Sequence, residues 1–182
     1  MLNRFGIRWW CFFVFIGAGL LILGFFGCAQ TGSVKVGTLF AYTGDLATGG
    51  PFLRKGADLA AEHINAAGGV LKRQVELVHK DSETNPDAAI EAAQALVKDE
   101  RVPAIIGCQS SGVTLAVANS VAIPRQVVLI SPASTSPDLT NLQDNDFVFR
   151  TTPSDTLQGA VLAQLAKELG FKSACTMYIN NA

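Results

Sequence analysis

The sequence predicts an α/β fold: an open parallel sheet with helices on both faces. Two observations carry that prediction. Short apolar runs alternate along the chain with longer segments of helical apolar period, the pattern of parallel strands joined by crossover helices. Two of the short runs also pass directly into loops of small hydroxylated residues. Ala104-Ile105-Ile106-Gly107 leads into Cys108-Gln109-Ser110-Ser111-Gly112-Val113-Thr114, and Val127-Val128-Leu129-Ile130 into Ser131-Pro132-Ala133-Ser134-Thr135-Ser136-Pro137. In an open parallel sheet, ligands bind outside the carboxyl ends of the strands, where such loops turn into helices.

Each element has its own signal. Residues 34–39 (Val-Lys-Val-Gly-Thr-Leu) read as a first strand, followed by a Gly-rich loop over 43–51. The next segment sets Leu53, Ala57, Ala60, Ala61 and Ile64 on one helical face and stops at Gly68-Gly69. Val75-Glu76-Leu77-Val78 alternates as a second strand. Asn85-Pro86 opens a helix, Asn as cap and Pro at the first position, with Ala89, Ala92, Ala93, Leu96 and Val97 as its buried face. The two strands named above follow, separated by a helix over 114–123. Residues 147–150 form a further strand. Asp155 precedes a helix carrying Leu157, Val161, Leu162, Leu165 and Leu169, which ends at Gly170, and 173–179 is the last expected strand.

The N-terminus is a targeting segment and is left out of the fold. Arg4 and Arg8 precede an almost wholly apolar stretch over 9–26, with no acidic residue before Cys28. Gly27-Cys28 closes the run and Gln30-Thr31-Gly32-Ser33 is a polar spacer. The arrangement resembles a bacterial lipoprotein signal, which implies that Cys28 is the lipidated first residue of the mature protein. An uncleaved anchor is the alternative, because the run nearly reaches the ~18 apolar residues of a spanning helix. Both readings put the rest of the chain outside the cytoplasmic membrane.

The chain is 49% hydrophobic, a figure the leader inflates. The leader holds two of the 14 Lys and Arg and none of the 15 acidic residues, so the remainder is acidic by three. Such a domain has no electrostatic footprint for nucleic acid. Of the four cysteines, Cys11 lies in the leader and Cys28 is the lipid candidate; Cys108 and Cys175 read as buried structural thiols in or beside strands. No CxxC and no His/Cys spacing points to a metal, and no cofactor is called for.

The hydroxyl-rich loops suit binding rather than chemistry. Hydroxyls and backbone N–H groups beside a helix N-terminus hold a carboxylate or another small anion without a catalytic base. Ser and Thr also cap helices and turns routinely, which is the competing reading of the same residues. The chain has no GxSxG, GxxxxGK[ST] or HExxH, and no GxGxxG after its first strand, so an enzyme is not expected. His63 and His79 read as surface or packing residues. Asp45, Asp81 and Asp138 lie on loops, where turn and cap duties are the default.

Taken in order, several short motifs carry a family resemblance. They are Val36-Gly37, Thr43-Gly44, Gly56-Ala57, Ile64-Asn65-Ala66-Ala67-Gly68-Gly69-Val70, Asp81 with Asn85-Pro86, Ile105-Ile106-Gly107 with Ser110-Ser111, Ser131-Pro132-Ala133-Ser134-Thr135, and Phe149-Arg150-Thr151-Thr152-Pro153-Ser154-Asp155. Together they resemble branched-chain amino-acid-type periplasmic binding proteins, the Leu/Ile/Val-binding solute receptors of ABC importers. The resemblance implies a clamshell of two α/β lobes that traps an amino acid or similar small amide or carboxylate. It implies three partners: that solute, a membrane permease and, through Cys28, a lipid anchor. It also implies roles. Ser111 donates its hydroxyl to the α-carboxylate, Ala133 offers its backbone carbonyl to the α-ammonium, and Thr135 contacts polar groups of the ligand. Ser110 and Ser134, in the same two loops, complete the candidate ligand-binding set.

Two departures from the family pattern matter. The first loop, Ala47-Thr48-Gly49-Gly50, lacks the aromatic residue that covers the ligand in many members, and Thr84 and Ser110 stand where some members place a disulfide. The resemblance divides the chain into a signal segment (1–28), an incomplete first lobe (33–153) and the start of a second lobe (154–182). Members are about twice this long, so the chain is expected to be a truncated form holding one side of a binding cleft. The rival readings are a membrane-anchored sensory ligand-binding domain and a non-functional product of a truncated gene.

Overall fold

A computed structural model of the chain describes residues 32–176. The leader and Cys28 lie outside the described residues, and so does residue 177 onward of the expected last strand. Five strands form one parallel sheet: β1 (Val34–Phe40), β2 (Val75–Asp81), β3 (Ala104–Gly107), β4 (Val128–Ser131) and β5 (Val148–Arg150), in the order β2-β1-β3-β4-β5. The helices are α1 (Gly50–Ala66), α2 (Pro86–Lys98), α3 (Ser111–Val117), which runs through a π turn (Ala118–Ala122) into α4 (Ile123–Arg125), and α5 (Asp155–Glu168). The expected open parallel sheet is therefore present.

Strand register sorts the side chains into two faces, because successive residues point to opposite sides. Val78, Gly37, Ile105, Leu129 and Val148 are neighbours across the five strands. This row meets α2 and α3, where Leu39, Ala89, Ala93, Leu96, Ile105, Val113, Val117 and Leu129 make the core. Gly37 makes room there for a side chain from α2. A Cβ on it would lie 2.9 Å from Leu96 Cδ1, so the bare backbone leaves a notch that the leucine fills. Asn85 begins α2 as expected: its side chain accepts from the N–H groups of Asp87 and Ala88 at 2.9 and 3.1 Å.

The alternate row is His79, Thr38, Ile106, Ile130 and Phe149. Helix α1 lies on this face, against β1 and β2. Asn65 clamps it to β2, donating to Val75 O at 2.9 Å and accepting from Val75 N at 2.6 Å. His79 bridges sheet and helix, with Nδ1 2.7 Å from Thr38 Oγ1 and Nε2 3.2 Å from Asp58 Oδ1. Burial, with the nearby Arg54 charge, holds its pKa below the ordinary value, and Asp58 opposes that only in part. His79 is thus a packing residue between two layers.

Three expectations need correction. On α1, Ala60 and Ile64 are exposed, and the contact strip is Leu53, Ala57, Ala61 and Asn65. The helix rests on only two strands, so a single i, i+4 line of residues reaches the sheet. Cys175, expected as a buried thiol, is exposed, because no described element packs over that segment. Helix α5 forms where it is expected, and its apolar residues Leu157, Val161, Leu162, Leu165 and Leu169 are all exposed, between 47% and 62%. Residues 173–176, expected in the last strand, carry no regular structure. A strand exists by pairing, and no described strand lies beside this segment. Among the described residues no helix is long and apolar enough to cross a membrane.

Candidate functional site

Because the strands are parallel, their carboxyl ends share one edge, and the loops after all five gather there. The loop after β1 is held from three sides. Gln109 accepts from Ala41 N at 2.7 Å and donates to Leu46 O at 3.2 Å. Asp81, at the end of β2, accepts from Tyr42 N at 2.8 Å, Thr43 Oγ1 at 2.7 Å and Glu83 N at 2.9 Å. Partial burial pushes the Asp81 carboxyl up, but these donors outweigh it and leave its pKa below the usual value. Thr84 Oγ1 accepts from Leu46 N at 3.0 Å.

The loops after β3 and β4 are joined in two layers. The inner layer is buried. Ser131 Oγ donates to Cys108 O at 2.6 Å, and Ser134 N donates to Ser131 Oγ at 2.9 Å. Ser134 Oγ lies 2.8 Å from Thr114 Oγ1, which donates to Ser110 O at 2.9 Å and accepts from Cys108 N at 3.2 Å. Gly107, just before, has to be a glycine, since a Cβ would stand 2.4 Å from Leu39 O where β3 closes on β1. Burial pushes the Cys108 thiol up to about 12, so it stays protonated and serves as an apolar core group.

The outer layer is half-buried. Ser111 Oγ accepts from Thr135 N and from Ser136 N, each at 3.2 Å. Thr135 Oγ1 donates to Asp155 Oδ2 at 2.9 Å, and Asp155 N donates back to Thr135 O at 2.9 Å. Thr152 Oγ1 donates to Ser134 O at 3.0 Å. The guanidinium of Arg150 is committed to Ser136 O and Thr140 Oγ1. A shallow cavity of about 510 Å³ lies beside these loops, between Pro137, Thr140, Arg150, Ser154 and Leu157.

The five candidate ligand-binding residues therefore divide. Ser111, Ala133 and Thr135 are half-exposed at one edge, whereas Ser110 and Ser134 are buried, with the Ser134 hydroxyl used inside the loop framework. Gln109 and Asp155 are site-edge residues that sequence reasoning did not single out as functional. Gln109 sits within the quoted hydroxyl loop and Asp155 just inside the helix start, but only tertiary contacts reveal what they hold. Among the described residues no group of three or more His, Cys, Asp or Glu side chains is placed to hold a metal ion.

Comparison with known proteins adds a family. Residues 33–182 match the family described as periplasmic binding protein. The chain is 35% identical over 157 residues to the chemotactic signal transduction system substrate-binding protein BasB of Halobacterium salinarum, covering 82% of this chain and 38% of that protein. Among solved structures, it is similar to the branched-chain amino acid transporter substrate binding protein LivJ of Streptococcus pneumoniae in complex with isoleucine. That match has a TM-score of 0.70 and 36% identity over 75% of this chain and 38% of the other. A solute binding protein of R. palustris in complex with benzoate matches with a TM-score of 0.67 and 26% identity, over 76% of this chain and 38% of its own. The chain spans about two fifths of the length of these relatives.

Proposed function

The chain belongs to the periplasmic binding protein family, and from that membership we propose that it forms one wall of a receptor that binds an amino acid or related small carboxylate for an ABC importer. The family implies an extracytoplasmic location and solute binding rather than catalysis. In this reading residues 33–153 are the first lobe and 154–182 open the second. The relatives with isoleucine and with benzoate bound support the ligand class, since both ligands present a carboxylate.

The observation that carries the reading is the state of Ser111. Its oxygen accepts two backbone N–H groups, which occupies both lone pairs and leaves its own proton to be donated elsewhere. It stands at the first residue of α3, where the helix end also favours negative charge. A carboxylate is the ligand group that fits. Ala133 and Thr135 share that edge, and Ser110 and Ser134 support it from beneath.

The test is calorimetry or amide-shift titration of the full chain with L-leucine. One wall leaves part of the solute in water, so the affinity is expected to be weak. Ser111→Ala should weaken it by ~1.5–3 kcal/mol, roughly ten- to hundredfold. Unchanged affinity would remove Ser111 from the site. Cys28 is the proposed lipid attachment point. Cells making Cys28→Ser should no longer incorporate labelled fatty acid into the protein, and continued labelling would reject that position. BasB, a receptor named for chemotactic signalling, favours a second reading in which the bound receptor reports to a sensory partner.

A further inference from the structure

We propose that Asp58, His79, Thr38 and Tyr42 form a hydrogen-bonded chain that reverses direction when His79 takes a proton, so that the loop after β1 responds to acid through a histidine lying beneath α1. The chain of bonds is separate from the Ser111–Thr135 edge and does not depend on the solute reading. Neutral histidine carries one ring N–H. The Asp58 carboxylate, 3.2 Å from Nε2, only accepts, so Nε2 holds that hydrogen and Nδ1 is bare. Thr38 Oγ1, 2.7 Å from Nδ1, therefore donates to it. A hydroxyl has a single proton, and that of Thr38 is committed. Tyr42 Oη is shut off from water and completes no hydrogen bond among the described residues. The side-chain hydroxyl that bears on it is that of Thr38, which opposes the rise that burial gives the Tyr42 pKa.

Protonation puts a second N–H on the ring, at Nδ1. Thr38 Oγ1 must then accept from His79, and its own hydrogen turns to the buried oxygen that lacks a partner, Tyr42 Oη. No covalent bond in Thr38 breaks: its hydroxyl rotates, and the one proton gained stays on His79. Arg54 and Asp58 face His79 from α1, with Arg54 Nε 3.4 Å from Asp58 Oδ2. Thr38 faces it from β1, and Asp81, two residues further along β2, acts on Tyr42. Burial and the Arg54 charge favour the neutral ring. The stability this cluster contributes is therefore complete above the ordinary histidine value of 6.5 and is lost as pH falls through the lower value in the fold. Two elements feel the change. Helix α1 is clamped to the sheet here and, near its C-terminus, through Asn65. Tyr42 belongs to the loop that Asp81 and Gln109 hold at the sheet edge.

The experiment follows His79 and Tyr42 ring signals of the isotope-labelled full chain in detergent micelles between about pH 8 and pH 5, the range in which histidine titrates. The chain has two histidines and two tyrosines, so the signals lost in His79→Gln and in Tyr42→Phe assign both rings. In the unaltered protein the Tyr42 ring should shift with the same midpoint as His79, below the ordinary histidine value. Thr38→Val keeps the shape and removes the oxygen between them. His79 should still titrate there, and Tyr42 should no longer follow. Tyr42→Phe deletes a single oxygen and covers the case in which Thr38→Val fails to fold. It leaves the turned Thr38 proton without an acceptor, so the His79 midpoint should fall by about half a pH unit or more, the scale of one hydrogen bond. His79→Gln should lose less resistance to urea than the unaltered protein over the same fall in pH. A Tyr42 ring that is silent in the unaltered protein would overturn the proposal. So would a Tyr42 ring that follows His79 equally in Thr38→Val, which would show the His79 charge acting through space, or a His79 midpoint unmoved by Tyr42→Phe.

Discussion

Leu96→Ala should unfold at markedly lower urea, with a loss of about 3–5 kcal/mol. The side chain is wholly buried at the end of α2 and fills the notch over Gly37. A cavity left by a deleted leucine is costly when its surroundings cannot collapse. Here one wall is strand backbone, fixed by pairing to β2 on one side and β3 on the other, so little can move in. The geometry also supplies a compensating change. Gly37→Ala alone drives a methyl to 2.9 Å from Leu96 and should destabilise. In the Leu96→Ala background the same methyl enters vacated space and should recover about 1 kcal/mol. Urea unfolding of the two single variants and the double variant measures this. Additive losses would show that the notch and the leucine are not a matched pair.

The parts of the fold legible from sequence are those decided within a few residues. Asn85-Pro86 announces α2 because a cap acts on N–H groups two and three residues away. The strand–helix alternation yields a parallel sheet for a similar reason, since each apolar run needs only its own period to be recognised. What escaped depends on partners far along the chain. Gln109 meets Ala41 and Leu46, 68 and 63 residues away, and Asp155 meets Thr135 across 20. A polar side chain in a loop carries no periodicity that would announce such a partner. Ala60 and Ile64 show the converse. Helical period makes them neighbours of Leu53 and Ala57, but how wide a stripe is covered depends on how many strands lie beneath. The hydroxyl loops fall between these cases. Their composition marks the edge, yet only the structure separates Ser111, whose proton is available, from Ser134, whose hydroxyl is used internally.

That inner layer gives the second large effect. Thr114→Val keeps the volume and removes one oxygen from the buried junction of the two loops. Thr114 Oγ1 accepts from Cys108 N, lies 2.8 Å from Ser134 Oγ and donates to Ser110 O. Ser110 O retains a donor in Thr114 N at 2.9 Å, and Ser134 retains Ser131 at 2.7 Å. Cys108 N loses its acceptor, and Ser134 loses one of two hydroxyl partners, in a region nearly closed to water. An orphaned buried polar group costs ~1–3 kcal/mol, so the variant should lose about that much. Thr114→Ser separates the causes: it keeps the oxygen and drops only a methyl, worth about 0.8 kcal/mol. If the hydroxyl is what holds the loops, Ser at 114 should be much closer to the unaltered protein than Val, although Val is the better match in shape and apolarity. The same comparison reaches the site. Ser110 and Ser111 begin α3, and Thr135 follows Ser134 directly, so loosening the inner layer should expose the amides of Thr135 and Ser136 to faster hydrogen exchange in Thr114→Val alone. Equal exchange in both variants, with equal stability, would mean that the outer layer stands without the inner one.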